Sequence, residues 1–423
     1  MKRELAAVVA FALLAGACER EAEEAPVPPV RETTSPPPTG PGTAAAALAR
    51  LCPAPTGGAP REVEPRRVPP SIREVVRDVE DARGLELLEP VAVDVVTRER
   101  LAELLHRESE RSLPEGFLER KSLAWATISA LPSGTSIKQA VQEFTEGQVI
   151  GFYVPESGKL VFIGTEDLDP VAYVTLAHEL THAIEDQHFD LDRLDDLDEE
   201  CRDEAVSAAI AVVEGSAQLY SIRAAQQNLT PEEILSIAGI DVPSFGDVPP
   251  FIVQLELWPY TAGLGFATVA SASGELDGAL EEFPVSTEQI IHPERWPNDA
   301  PQALDVTDLG PELGQGFEDL DVQEVGEQWL QILLGLRLDA EEAREAAAGW
   351  DGGLYRAWSD GDAVAVLMET VWDRPEDASQ FAEAIEDWLG EGDRPGFVEL
   401  LASRVTVGFA SDGATLEALR TAA

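Results

Sequence analysis

The chain has 423 residues, and its 79 Asp and Glu against 30 Lys and Arg give a formal net charge of −49 at pH 7. That balance excludes nucleic acid and anionic membrane surfaces as direct electrostatic partners, because both repel a strongly acidic protein. The length accommodates two domains, or one large domain with an added segment, and the acid is spread widely enough to read as a hydrated surface.

At the N-terminus, Lys2 and Arg3 precede an apolar run from Leu5 to Leu14, and Ala15-Gly16-Ala17-Cys18 follows. This is the layout of a secretory signal over residues 1–17, too short for an ordinary spanning helix. The small-residue site ending in Cys18 resembles a bacterial lipobox, with Ala15 where that pattern usually has Leu. The resemblance implies a lipid anchor on Cys18, and so a membrane-attached, exported protein of the cell envelope. Cys52 and Cys201 are then left as a candidate disulfide in an oxidising compartment. Residues 18–67 are rich in Pro, Ala, Glu and Gly with almost no aromatic content, and are expected to form a disordered tether.

Residues 68–320 are expected to hold the main domain. SIREVVRDVEDARGL has helical spacing, PVAVDVV is a short strand, and TRERLAELLHRE is a further helix that carries His106 among surface charges. Helices are also expected over 115–130 and 136–144. VIGFYV and KLVFIG, joined by Pro155-Glu156-Ser157-Gly158, read as a β-hairpin.

The stretch DPVAYVTLAHELTHAIEDQH, residues 169–188, carries the chemistry. Asp169 suits an N-cap and Pro170 the first helical position. Histidines four apart stack on one helix face, so His178 and His182 can reach one zinc ion while Glu179 holds a water beside it. Only five histidines occur in the chain, which makes the spacing informative.

A catalytic zinc needs a third protein ligand. His188 has the metzincin spacing, but Glu185 stands where that pattern has Gly, and on an uninterrupted helix His188 points away. Glu204 lies among other acids, in the run DLDRLDDLDEECRDE, which lacks the Gly and Glu of an EF-hand loop and reads as a solvated loop. Glu214, in IAVVEGSA, sits in a small-residue helix where a buried carboxylate needs a partner. Its Gly215, Ser216 and Ala217 predict close packing on another helix, expected to be the histidine helix. Glu214 is the preferred third ligand.

LAHELTHAIEDQHFDL, then VEGSA and FPVSTEQIIHPERW, together resemble exported bacterial zinc metallopeptidases of gluzincin type. The likeness covers about residues 70–300 and extends to AAAGWDGGLYRAW. It implies a zincin-like fold, Zn2+ held by His178, His182 and Glu214, Glu179 as general base, and a peptide or protein substrate. In such peptidases the strand ahead of the metal helix commonly pairs with an extended peptide, although the hairpin could equally roof the helix. Gln218 stands where many gluzincins place an Asp four residues past the Glu. His292 is assigned to stabilise the developing oxyanion, with Tyr220 and Tyr260 as rivals.

The remaining part, 321–423, alternates helical segments (VGEQWLQILLGL, DAEEAREAAAGW, DASQFAEAIEDWL) with strands (LYRAW, AVAVLMETVW, RVTVGFA) around the turn Ser359-Asp360-Gly361-Asp362. Without a nucleophile–base pair or metal cluster, it is expected to pack on the main domain as support. The whole chain therefore predicts an α+β fold with a mostly helical metallopeptidase core. The alternative reading is a catalytically inactive envelope lipoprotein that uses the same helix to bind or to build.

Overall fold

A computed structural model describes residues 5–8, 40, 42–52, 70–112, 115–154, 158–163, 168–238 and 245–423. The fold is α+β, as the alternation of helical and strand periodicities predicts. The first part runs β1 (Leu5–Val8), α1 (Ala44–Leu51), α2 (Pro70–Arg83), β2 (Ala92–Val96), α3 (Arg98–Ser112), α4 (Glu115–Ile128), α5 (Ile137–Gln148), β3 (Val149–Val154) and β4 (Lys159–Ile163). It continues through α6 (Pro170–Phe189), α7 (Arg193–Glu199), α8 (Asp203–Asn228), α9 (Pro231–Ala238), α10 (Pro250–Ser273), α11 (Leu276–Glu281), α12 (Thr287–Ile291) and α13 (Gly310–Leu313).

The second part holds β5 (Glu318–Glu324), α14 (Glu327–Leu334), α15 (Ala340–Ala347), β6 (Trp350–Ser359), β7 (Val364–Trp372), α16 (Pro375–Gly390), β8 (Gly396–Leu401), β9 (Arg404–Ala410) and α17 (Gly413–Ala422).

Strands β1, β3, β4 and β2 form one sheet in that order, with β3 antiparallel to both β1 and β4, and β2 parallel to β4. The hairpin expected from VIGFYV and KLVFIG is β3–β4, which pairs Gly151 with Phe162 and Val154 with Lys159. This sheet lies on α6. An added Cβ at Gly151 would sit 3.1 Å from the Thr175 methyl, and the Tyr153 hydroxyl donates to Asp186 Oδ2 at 2.8 Å.

Helix α6 begins as its sequence dictates: the Asp169 side chain accepts from the Ala172 N–H, and Pro170 fills the first turn. It packs on α8 in antiparallel sense. Tyr173 near its start lies by the Ala224 carbonyl, and Glu185 near its end contacts Ser216. Among the described residues, α8 is the one helix long and apolar enough to cross a membrane, yet 83 % of its apolar window is buried inside the fold. It is the central core helix here.

The small residues of α8 serve a different neighbour from the one expected. A Cβ on Gly215 would fall 2.0 Å from the Gly263 carbonyl oxygen, and one on Gly263 would fall 2.0 Å from that of Ala211. The close approach is therefore to α10, which runs parallel to α8, since Gly215–Gly263 and Arg223–Ser271 advance together. Two backbones this near leave no room for a methyl group, which explains Gly at both places despite its cost in a helix interior.

The tether expectation fails over residues 42–52. Thr43 caps α1, Ala44 and Ala47 are buried, and the Ala44 N–H donates to Asp305 Oδ1 at 2.6 Å. The fully buried Arg356 donates to the carbonyl of Gly42 and ion-pairs with Asp319. Cys52 is bridged to Cys201, with Cα atoms 6.0 Å apart. An Ala-rich segment with one capping residue can thus dock where a ready-made apolar surface and a covalent staple receive it. The signal-peptide expectation falls on residues of which only Leu5–Val8 are described, and Cys18 lies outside the described residues; the side chain of His106 does too.

The acidic run is helical in part, as α7, with Arg193 anchored on the carbonyls of Leu280 and Glu281.

The C-terminal sheet, ordered β5-β6-β7-β9-β8 and antiparallel throughout, starts at Glu318. Its core holds the fully buried Trp350, Trp358, Trp372 and Trp388. A buried polar network joins it to α4. The Tyr355 hydroxyl donates to Asp321 Oδ2 at 2.5 Å, while Lys121 Nζ and Trp125 Nε1 each donate to Gln323 Oε1 at 2.9 Å.

Gly263→Ala is expected to destabilise the protein by about 1–3 kcal/mol through overpacking, lowering its melting temperature in a thermal scan. Unchanged melting would show that α8 and α10 do not cross this closely.

Candidate metal centre

The antiparallel seating of α6 on α8 converges three ligand atoms. His178 Nε2 lies 3.0 Å from Glu214 Oε2 and 3.0 Å from His182 Nε2, and His182 Nε2 lies 3.5 Å from the same carboxylate oxygen. His178, Glu179, His182 and Glu214 are all at most 3 % exposed. Bonds of about 2.0–2.1 Å directed tetrahedrally place ligand atoms about 3.3–3.4 Å apart, so the observed separations fit one zinc-sized ion. The donor chemistry fits equally well: two imidazoles and a carboxylate form a common catalytic zinc set.

The electrostatics of Glu214 and His182 point the same way. Burial works against the Glu214 carboxylate, but the charge of His182 and hydrogen bonds from both histidines outweigh it and hold the group down at about 2. Burial in turn pushes His182 below its ordinary value, against the pull of Glu214. The carboxylate is therefore ionised, in a pocket that disfavours charging the nearby ring. A buried carboxylate facing two buried ring nitrogens is an arrangement a cation stabilises.

The other residues weighed as ligands lie elsewhere. His188 is exposed, and its Nε2 meets the Glu86 carbonyl at 2.8 Å, because α6 continues unbroken past His182. Glu204 is ten positions ahead of Glu214 on α8, about 15 Å along the axis. There its Oε1 accepts from the Thr287 N–H at 2.6 Å and from the Thr287 hydroxyl at 2.7 Å.

His292 belongs to that same distant end. Its Nε2 meets Glu327 Oε1 at 3.1 Å, and Gly326, one residue before Glu327, packs on the Glu204 carboxylate. This position does not suit the oxyanion role assigned to His292 from sequence. Its rival Tyr260 is buried with its ring stacked on His178, 6.3 Å between centroids. Tyr220 lies instead between the Arg83 and Arg223 guanidiniums. The crossing at Gly263, one turn beyond Tyr260 on α10, is what delivers that ring.

Around the ligands, Thr181 Oγ1 donates to the Ala177 carbonyl, and the side chain of His182 is buried with Nδ1 lacking a hydrogen-bond partner. Gln218 accepts at its backbone carbonyl from Ser221. Support for the two helices comes from Glu185, which sequence reasoning weighed only as a departure from the metzincin pattern. Its spacing, three past His182 and directly after the apolar Ala183 and Ile184, was the available signal.

A family described as a domain of unknown function (DUF8575) matches residues 315–416, which covers the C-terminal sheet and leaves His178, His182 and Glu214 outside. No curated protein matches the chain, and no solved structure does.

The Glu204 end of α8 titrates in a definite direction. Burial raises the Glu204 carboxyl to about 8, against the Thr287 hydrogen bonds. Burial also raises Glu288 to about 10, against the Arg295 charge. Each takes up a proton on folding, so its stabilisation is full below the ordinary carboxylate range and fades as pH rises through the folded value. Melting temperature is expected to fall by several degrees from pH 5 to pH 9, and Glu204→Gln should flatten the part of that fall below about pH 8. A melting temperature that climbs over this range would contradict the assignment.

Proposed function

We propose that this protein is a zinc-dependent peptide hydrolase of the cell envelope. The observation that carries the reading is the convergence of His178, His182 and Glu214 on one point inside the fold, with Glu179 buried next to His178 in the same helix. The resemblance of the motifs to gluzincin-type peptidases supports the same class. Bound zinc supplies Lewis acidity toward a scissile carbonyl and activates water for attack.

The chain's own residues would divide the remaining work. Glu179 accepts the proton of the attacking water and passes it to the leaving amine nitrogen, a role for which a carboxylate adjacent to a ligand is suited. Tyr260, stacked on His178, replaces His292 as the group assigned to steady the developing oxyanion. Glu214, ionised, anchors the histidine pair and offsets part of the cation's charge.

The neighbouring sheet supports a peptide substrate. The edge of β3 next to α6 accepts an extended segment, Leu5–Val8, in antiparallel pairing, with Leu5 opposite Tyr153 and Ala6 opposite Phe152. Main-chain pairing of this kind grips an extended peptide with little regard to its sequence. A substrate on that edge requires Leu5–Val8 to be absent or displaced. The Cys52–Cys201 bridge supports an oxidising compartment and therefore export.

Glu179→Gln is expected to retain zinc but lose about 10²- to 10⁴-fold in hydrolysis of any peptide the wild type cleaves. Glu214→Ala should lose zinc, and His188→Ala should keep it. Tyr260→Phe should cost more activity than His292→Ala. Metal analysis beside a peptide-cleavage assay checks all five variants. Full activity in Glu179→Gln overturns its role, and a wild type that holds zinc but cleaves nothing across a peptide library favours the binding-protein reading.

A further inference from the structure

Four helices meet at one buried guanidinium close to the metal centre. Arg83 ends α2, and Gly84 follows in the left-handed region at φ 77°, which lets the chain turn away. The Arg83 side chain is 3 % exposed. Its Nε donates to Glu185 Oε1 at 2.7 Å and its Nη2 to Asp277 Oδ1, on α11, at 2.6 Å. The guanidinium carbon also stands 4.7 Å from the centre of the Tyr220 ring and 5.6 Å from that of Phe189.

Glu185 makes this more than a surface pair. It is fully buried and lies three residues past His182, on the histidine face of α6. The same Oε1 that receives Arg83 also accepts from Ser216 Oγ at 2.5 Å. Ser216 is two residues past Glu214 on α8. One carboxylate oxygen therefore ties the helix that supplies both imidazoles to the helix that supplies the carboxylate ligand, within a turn of each. Burial raises the Glu185 carboxyl above its ordinary value, and the Arg83 charge limits that rise. Without Arg83, Glu185 must either protonate or turn outward, and both outcomes alter its bond to Ser216.

We propose that Arg83 is a positioning residue for the metal centre: through Glu185 and Ser216 it fixes how far His178 and His182 stand from Glu214. The proposal rests on the zinc reading and goes beyond it, since it names what holds the ligands in register. Outer groups of this kind usually tune metal affinity by about 10- to 100-fold. Ligand atoms 3.0–3.5 Å apart on two separate helices leave little tolerance for sliding.

The test is zinc affinity by competition with a chelating dye, read beside the thermal melting of the zinc-free protein. Wild type, Arg83→Met, Arg83→Lys, Ser216→Ala and the double variant Arg83→Met/Glu185→Gln are compared. Arg83→Met and Ser216→Ala are expected to bind zinc about 10- to 100-fold more weakly, and Arg83→Lys to recover part of the loss. The double variant removes the buried charge along with its partner, so it should melt near wild type while still binding zinc weakly. Ser216→Ala deletes one hydroxyl and carries the test should Arg83→Met fail to fold. Folded variants with wild-type zinc affinity would overturn the clamp and leave the metal centre standing. A wild type that binds no zinc overturns both.

Discussion

The structure depends on how one ionised carboxylate is held between two imidazoles inside a helical core. Glu214 approaches His178 and His182 to 3.0 and 3.5 Å, where water cannot screen it. An isolated charge in that place would cost several kcal/mol. Its neighbours lower that cost, and a cation at the shared point would lower it further. The antiparallel packing of α6 on α8, the parallel crossing of α8 with α10, and the Arg83–Glu185–Ser216 contact all bear on this one convergence.

The two ends of α8 divide the chemistry. At Glu214 the carboxylate is driven down and stays charged, while at Glu204 burial drives the carboxyl up. The same helix therefore presents an ionised acid to the histidines and a readily protonated one to Thr287 and the Glu327–His292 pair. Both acids are buried: at Glu214 the hydrogen-bonding imidazoles overcome that burial, while at Glu204 burial prevails and Glu324 and Glu327 add to it. The C-terminal sheet closes over the second end and is joined to α4 by the Lys121, Gln323 and Tyr355 network. Residues 42–52 lie across that sheet and are stapled through Cys52 to the start of α8. Support for the core thus comes from both ends of the chain.

Much of the centre was legible in the sequence, because its signals are local. The spacing of His178 and His182, the cap at Asp169 and the apolar surroundings of Glu214 each work within one helix, and the β3–β4 hairpin announces itself by turn chemistry and β-branched residues. What was not legible involves contacts between distant segments. Gly215 signals that some backbone comes near without saying that it belongs to α10. His292 sits in a polar stretch that suggests a cleft, and only the fold reveals Glu327 beside it. Arg83 carries no mark in its own neighbourhood that distinguishes it from other arginines of an amphipathic helix. The segment 42–52 reads as tether by composition, since the surface that orders it is built from residues about 260 to 310 positions later.

The proposed activity requires one metal ion among His178 Nε2, His182 Nε2 and Glu214 Oε2. X-ray absorption at the zinc edge, joined to anomalous diffraction from crystals of the zinc-loaded protein, locates that ion directly. The account predicts a single site with Nε2 of His178 and of His182 at about 2.0–2.1 Å and a Glu214 carboxylate oxygen at about 2.0–2.2 Å. Zinc found on His188 or Glu204, or no ordered zinc at any site, would contradict it.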